Sequence, residues 1–93
     1  MGAQAKRISV HGRVQGVGFR FFVQDAGMSL GVTGDVRNCP DYTVEIVVEG
    51  EPGSIERFIE EIRQGPPLSR VERLEIFDVE PTGSYRTFLM EGW

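Results

Sequence analysis

With 93 residues, 40% of them hydrophobic and 26% charged, the chain has the material for one small packed core and too little for two. A single domain over residues 1–93 is predicted, and a disordered chain is excluded. Ten basic residues against fourteen acidic ones leave a net charge of −4, the wrong sign for nonspecific nucleic-acid binding, in which neutralising phosphates dominates affinity. The charge is unevenly spread: residues 1–38 hold five basic and two acidic side chains, a balance of +3, while residues 39–93 hold five and twelve, a balance of −7. A small anion is therefore favoured in the first part, and a polyanion is repelled by the rest. One cysteine, Cys39, excludes an internal disulfide, and one histidine, His11, excludes zinc sites built from several cysteines or histidines. What chemistry there is must run on Arg, Asn, carboxylates and backbone. No run nears the roughly 18–20 apolar residues of a membrane span, and Met1 to Ser9 lacks the apolar stretch of a signal peptide, so a cytoplasmic protein with no membrane partner is predicted.

In chain order, Lys6 to Val14 reads as a first strand from the alternation of Ile8, Val10 and Val14 with polar neighbours. Gly12, Gly16 and Gly18 then bracket a loop leading into a helix, whose stripe is Phe19, Phe22, Val23, Ala26 and Leu30 and whose stop is Gly31, suited to a left-handed position. Val32 to Asn38 and Thr43 to Glu49 read as two strands joined by the turn Cys39-Pro40-Asp41-Tyr42. A second helix runs from Pro52 to Gln64: Ile55, Phe58, Ile59 and Ile62 form its apolar stripe, and Gly65-Pro66-Pro67 ends it. Val44, Ile46 and Val48 offer a face for that stripe. Arg70 to Val79 is a fourth strand with a break in alternation between Val71 and Leu74, and Tyr85 to Met90 is a short last strand. The order strand, helix, strand, strand, helix, strand predicts an α+β, ferredoxin-like βαββαβ sandwich, both helices covering one face of an antiparallel sheet, with the short C-terminal strand added. That fold serves many functions and decides none.

The segment Gly12-Arg13-Val14-Gln15-Gly16-Val17-Gly18-Phe19-Arg20 passes from strand end through loop to helix start. Unpaired N–H groups at a helix start, glycines that let a ligand approach the backbone, and an Arg in the first turn together favour a small anion. The spacing is neither the dinucleotide fingerprint nor the ATP-binding loop. On these grounds a small-phosphate site and an ordinary Gly-rich turn with a solvated Arg both stand.

Two motifs carry a resemblance. Gly12 to Arg20 fits Gly-x-Val-Gln-Gly-Val-x-Phe-Arg, and Leu30 to Asn38 fits Leu-Gly-x-x-Gly-x-Val-x-Asn, and in that order they resemble the acylphosphatases, small hydrolases of carboxyl-phosphate anhydrides. Val44 to Gly50, the second helix, Gly65-Pro66 and Val71 extend the resemblance over nearly the whole chain. It implies a phosphate cradle of backbone N–H groups over Gln15, Gly16, Val17, Gly18, Phe19 and Arg20, with Arg20 as the phosphate-binding catalytic residue and Asn38 positioning the attacking water. It implies no metal and no cofactor, an acyl phosphate as substrate, and inorganic phosphate or sulfate as product or inhibitor; a monomer is the default expectation, which the sequence does not determine. The acyl group is not readable: acetyl, carbamoyl, phosphoglyceroyl and aspartyl phosphates all qualify.

Against the family pattern, Tyr42 stands where glycine is common. A left-handed residue there would cost about 1–2 kcal/mol, so the turn after Asn38 is expected to be remodelled. Gly27 stands where alanine is usual and is expected to weaken the first helix by up to about 1 kcal/mol. Glu91-Gly92-Trp93 has no reading in the pattern, Trp93 being free to pack locally or bind a partner. His11 reads as a surface residue without an orienting partner, Cys39 as a free thiol, Arg13 and Arg37 as solvated charges, and Phe21 and Phe22 as packing residues, with Phe21 near the mouth of the site. Two other readings are an RNA-binding module, disfavoured because Thr43 to Glu49 holds no aromatic residue and two glutamates, and a domain serving a larger carbamoyl-transfer or maturation protein.

Overall fold

Alternation at Ile8 and Val10 sends one face of β1 (Gln4–Arg13) into the core, and the same period at Val44, Ile46 and Val48 does so for β3 (Val44–Gly50). These two strands pair antiparallel at the centre of the sheet, with Ile8 opposite Ile46 and Val10 opposite Val44. β4 (Arg70–Val79) flanks β1, β2 (Thr33–Asn38) flanks β3, and β5 (Phe88–Met90) lies beyond β2, giving the order β4-β1-β3-β2-β5. The computed structural model describes residues 2–92; Trp93 lies outside them.

Both helices cover one face, as the element order predicts. From α1 (Phe19–Leu30) the side chains of Phe19, Val23 and Ala26 enter the core, and from α2 (Pro52–Gln64) those of Ile55, Phe58 and Ile62. Each large apolar side chain so buried stabilises the fold by about 1.5–3 kcal/mol. Gly31 ends α1 in the left-handed conformation at φ 73°, and the N–H groups of Gly31 and Val32 bond back to Met28 and Gly27 carbonyls. Among the described residues no helix is long and apolar enough to cross a membrane.

The broken alternation in β4 is a β-bulge. His11 pairs with Arg73 and Gly12 with Val71, which leaves Glu72 without an opposite residue. At Gly12, φ is 131° and a Cβ would stand 2.0 Å from the Arg70 carbonyl oxygen, so only glycine lets β1 bend there toward the loop that follows.

The C-terminal part departs from the expected antiparallel sheet. β5 pairs with β2 in parallel, Gly34 opposite Phe88 and Val36 opposite Met90, so the sheet is mixed. The strand is also shorter than Tyr85 to Met90, because the preceding residues are engaged elsewhere. Residues 80–87 join β4 at one edge to β5 at the other by crossing the face opposite the helices. The Glu49 carboxylate, on a residue only 5% exposed, accepts hydrogen bonds from Thr82 N–H and Oγ1 at 2.9 Å and from Gly83 N–H at 3.0 Å. Tyr85 Oη donates to Asp35 Oδ2 at 3.0 Å, which Arg37 also reaches at 3.3 Å, so Arg37 is paired rather than simply solvated. Beyond that crossing, Phe88 enters the core against Phe58, ring centroids 5.4 Å apart.

Candidate active site

The bulge at Gly12 and the helix start at Phe19 leave a short loop whose shape is set by left-handed glycines, Gly16 at φ 73° and Gly18 at φ 79°. Gly18 is the N-cap residue of α1 and makes no side-chain cap, and the first hydrogen bond of the helix runs from Phe22 N–H to the Gly18 carbonyl. The N–H groups of Phe19, Arg20 and Phe21 therefore have no partner within the helix, and the helix dipole adds partial positive charge there. A concavity of about 140 Å³ opens at this point, lined by Val14, Gly16, Gly18, Phe19, Arg20, Phe21, Asn38 and Met90.

Arg20 and Asn38, from separate motifs, thus meet at one cavity because β2 carries Asn38 to the level of the β1–α1 loop. Arg20 is held from the far end of the chain. Its Nη1 donates to the Glu91 carbonyl at 2.7 Å, and the Glu91 N–H bonds to Val36 O at 2.8 Å. Among the described residues nothing else takes the remaining N–H groups of the fork, which can meet an anion. Asn38 Oδ1 is buried and has no hydrogen-bond partner among the described residues. A buried acceptor left so costs about 1–3 kcal/mol, a cost removed by a ligand or water that donates to it.

Of the other residues expected in the cradle, Gly16, Gly18 and Phe19 line the cavity, while Gln15 and Val17 do not. Val17 packs half-buried against the core. The Gln15 side chain turns to the β2–β3 hairpin, its Nε2 donating to Cys39 O at 2.9 Å and Thr43 O at 2.8 Å. It ties the loop to the turn that follows Asn38.

That turn is not remodelled. Tyr42 itself takes the left-handed conformation at φ 72°, closing a hairpin with Tyr42 N–H to Cys39 O at 3.0 Å and Cys39 N–H to Thr43 O at 2.9 Å. Asp41 reinforces it, Oδ1 accepting from Thr43 Oγ1 at 2.6 Å and Thr43 N–H at 3.1 Å. The Thr43 hydroxyl, then its amide, hold the Asp41 carboxyl below the ordinary range.

Two further expectations are corrected. Phe22 packs, its ring 6.3 Å from that of Phe19, but Phe21 is 69% exposed at the cavity wall, because it follows Arg20 on the outward side of the helix. His11 has an orienting partner: its Nε2 lies 3.0 Å from Glu75 Oε1 across the β1–β4 pair, and the His11 ring holds the Glu75 carboxyl below its usual value. The sequence offers no signal for Glu91, which acts through its backbone carbonyl, or for Met90.

The acylphosphatase family model matches residues 6–90. The chain belongs to the acylphosphatase family. An acylphosphatase of Thermococcus kodakarensis is 51% identical over 76 residues, 82% of this chain and 84% of the relative. The crystal structure of an acylphosphatase from Bacillus subtilis superposes with a TM-score of 0.92 at 35% identity, covering 96% of this chain and 99% of the other. A crystal structure of full-length HypF in its phosphate- and nucleotide-bound form matches with a TM-score of 0.89 at 38% identity, covering 97% of this chain but 12% of the HypF chain. The acylphosphatase architecture therefore occurs both in proteins of this chain's size and within a much longer one.

Proposed function

We propose that the chain hydrolyses acyl phosphates to a carboxylate and inorganic phosphate by in-line attack of water, without a metal or a covalent enzyme intermediate. Family membership makes it an acylphosphatase, a hydrolase. The observation that carries the mechanism is the convergence of Arg20, Asn38 and the glycine loop on one small cavity. In this reading those N–H groups of the Gln15–Arg20 loop that face the cavity bind the phosphoryl oxygens, and the Arg20 fork neutralises charge on them. Asn38 Oδ1, without a partner among the described residues, accepts a hydrogen bond from the attacking water and so aims the water's lone pair at phosphorus.

The residues suit the leaving group. An acyl phosphate expels a carboxylate whose conjugate acid has a pKa of about 4, so no general acid is needed, and a phosphate oxygen can take the water's proton. The described residues of the cavity wall include no carboxylate, histidine or cysteine with which to hold a metal. RNA binding is disfavoured further by the open sheet face, which presents Glu45 and Glu75 and is crossed by residues 80–87. The HypF match favours a second reading, in which the same cradle serves a step within a longer protein. We also propose a monomeric, single-domain, cytoplasmic enzyme; the lone free thiol of Cys39 fits a reducing compartment, and sedimentation checks the monomer.

The test is a panel of acyl phosphates and alkyl phosphate monoesters with and without EDTA. Acyl phosphates are hydrolysed, monoesters are not, and chelator changes nothing; activity lost in EDTA and restored by a divalent ion overturns the metal-free route. Arg20→Ala weakens inhibition by inorganic phosphate and lowers kcat. Asn38→Ala lowers kcat by about 10²–10³ with phosphate inhibition little changed, since its contact forms as water approaches phosphorus. No hydrolysis of free acyl phosphates by the wild-type chain would favour the relay reading.

A further inference from the structure

We propose that Phe21 is the platform for the acyl group and that it selects apolar acyl groups larger than acetyl. The inference rests on the acyl phosphate reading above. Three phenylalanines stand within the first turn of α1, and they divide in role: Phe19 is buried, Phe22 packs beside it, and Phe21 is 69% exposed and belongs to no aromatic pair among the described residues. A single exposed apolar side chain is ordinary on a protein surface. This one directly follows Arg20 and forms part of the wall of the cavity that also holds Asn38.

The cavity itself is small, about 140 Å³, and its polar groups are Arg20, Asn38 and the loop backbone, all taken by phosphate and water in the hydrolytic reading. The acyl substituent must then lie at the rim. Of the four apolar side chains in the wall, Val14 and Phe19 are buried, which leaves Phe21 and the half-buried Met90 to meet it. Among the described residues no charged side chain other than Arg20 lines the cavity, so a charged acyl group finds no partner in them. An aromatic ring and a thioether offer instead a surface on which an apolar acyl group sheds water, and an aromatic one stacks.

The test compares kcat/KM for acetyl, benzoyl and succinyl phosphates in the wild-type chain, Phe21→Ala and Phe21→Tyr. Dividing the variant-to-wild-type ratio for benzoyl phosphate by that for acetyl phosphate cancels the intrinsic reactivity of the two anhydrides. Phe21→Ala is expected to lower kcat/KM for benzoyl phosphate about tenfold, mostly through KM, and that for acetyl or succinyl phosphate less than threefold. Phe21→Tyr, which keeps the ring, restores the benzoyl preference. The exposed position lets both variants fold, and an unchanged melting temperature checks this. Equal losses for all three substrates would mean that Phe21 acts on the cradle rather than the acyl group, and no loss for benzoyl phosphate would make it a solvent-facing residue; either overturns the proposal while leaving acyl phosphate hydrolysis standing. A wild-type chain inactive on all three would overturn both readings.

Discussion

Gly27→Ala puts the packing of α1 on β5 to a quantitative test. In a solvated helix the change gains about 1 kcal/mol from propensity. Here a Cβ on residue 27 would stand 2.3 Å from Cδ2, 2.7 Å from Cγ and 2.9 Å from Cε2 of Phe88. Cγ is close to the backbone, so the ring cannot swing away without moving the strand. Phe88 is 1% exposed, is backed by Phe58, and has its carbonyl held by Gln24 Nε2 at 3.0 Å. Overpacking of this kind costs about 1–3 kcal/mol, which after the helix gain leaves the variant about 0–2 kcal/mol less stable. Unfolding entropy of about 2.1 cal/mol/K per residue makes about 0.2 kcal/mol/K for 93 residues, so Tm falls by up to about 10 °C. Differential scanning calorimetry reads this directly. In a Phe88→Ala background, where Cγ and the ring are both gone, Gly27→Ala should raise Tm instead, and the double-mutant cycle gives the coupling. A higher Tm for Gly27→Ala in the wild-type background would refute the packing argument and leave the glycine the simple helix weakness that propensity suggests.

Tyr42→Gly relieves a left-handed conformation costing about 1–2 kcal/mol, offset by about 0.4–1 kcal/mol of added unfolded-state freedom, with little packing lost from a side chain 76% exposed. Thermal unfolding should show a gain of about 0.5–1 kcal/mol, and a loss would mean that the Tyr42 side chain supports the turn. Gln15→Met removes both bonds to the hairpin and should destabilise the fold by about 1–3 kcal/mol, with kcat falling more than phosphate affinity as Asn38 loses its fixed place; a purely uniform loss of phosphate binding would count against a positioning role. Burial pulls the Glu49 carboxyl upward, but the Thr82 and Gly83 donors outweigh it and leave it below the ordinary value. Its contribution to stability is therefore present above the unfolded glutamate pKa of about 4.3 and is lost as pH falls through the lower folded value. Urea unfolding from pH 7 to pH 3 should show this slope and its reduction in Glu49→Gln; an identical slope would place the acid sensitivity elsewhere.

Much of this protein is written in neighbouring residues. The spacing of Ile55, Phe58 and Ile62 between Pro52 and Gly65 determines α2 with its bounds, Gly31 determines where α1 stops, and the broken alternation between Val71 and Leu74 marks the bulge in β4. The motifs ending at Arg20 and Asn38 likewise name the two side chains that meet at the cavity. These signals are periodicities, caps and turns, and each needs only a few adjacent residues. What tertiary structure alone decided is carried by partners far apart in the chain: the Glu91 carbonyl on Arg20, 71 positions away, the Gln15 amide on the hairpin, the Glu49 carboxylate under Thr82, and the Phe88 ring in the space that Gly27 leaves open. The parallel placement of β5 belongs to the same group, as does the exposure of Phe21, which shares its residue type with two packed neighbours. A backbone carbonyl has the same chemistry in every residue, and whether a ring or a carboxylate is buried depends on what the rest of the chain lays over it. No local pattern records either.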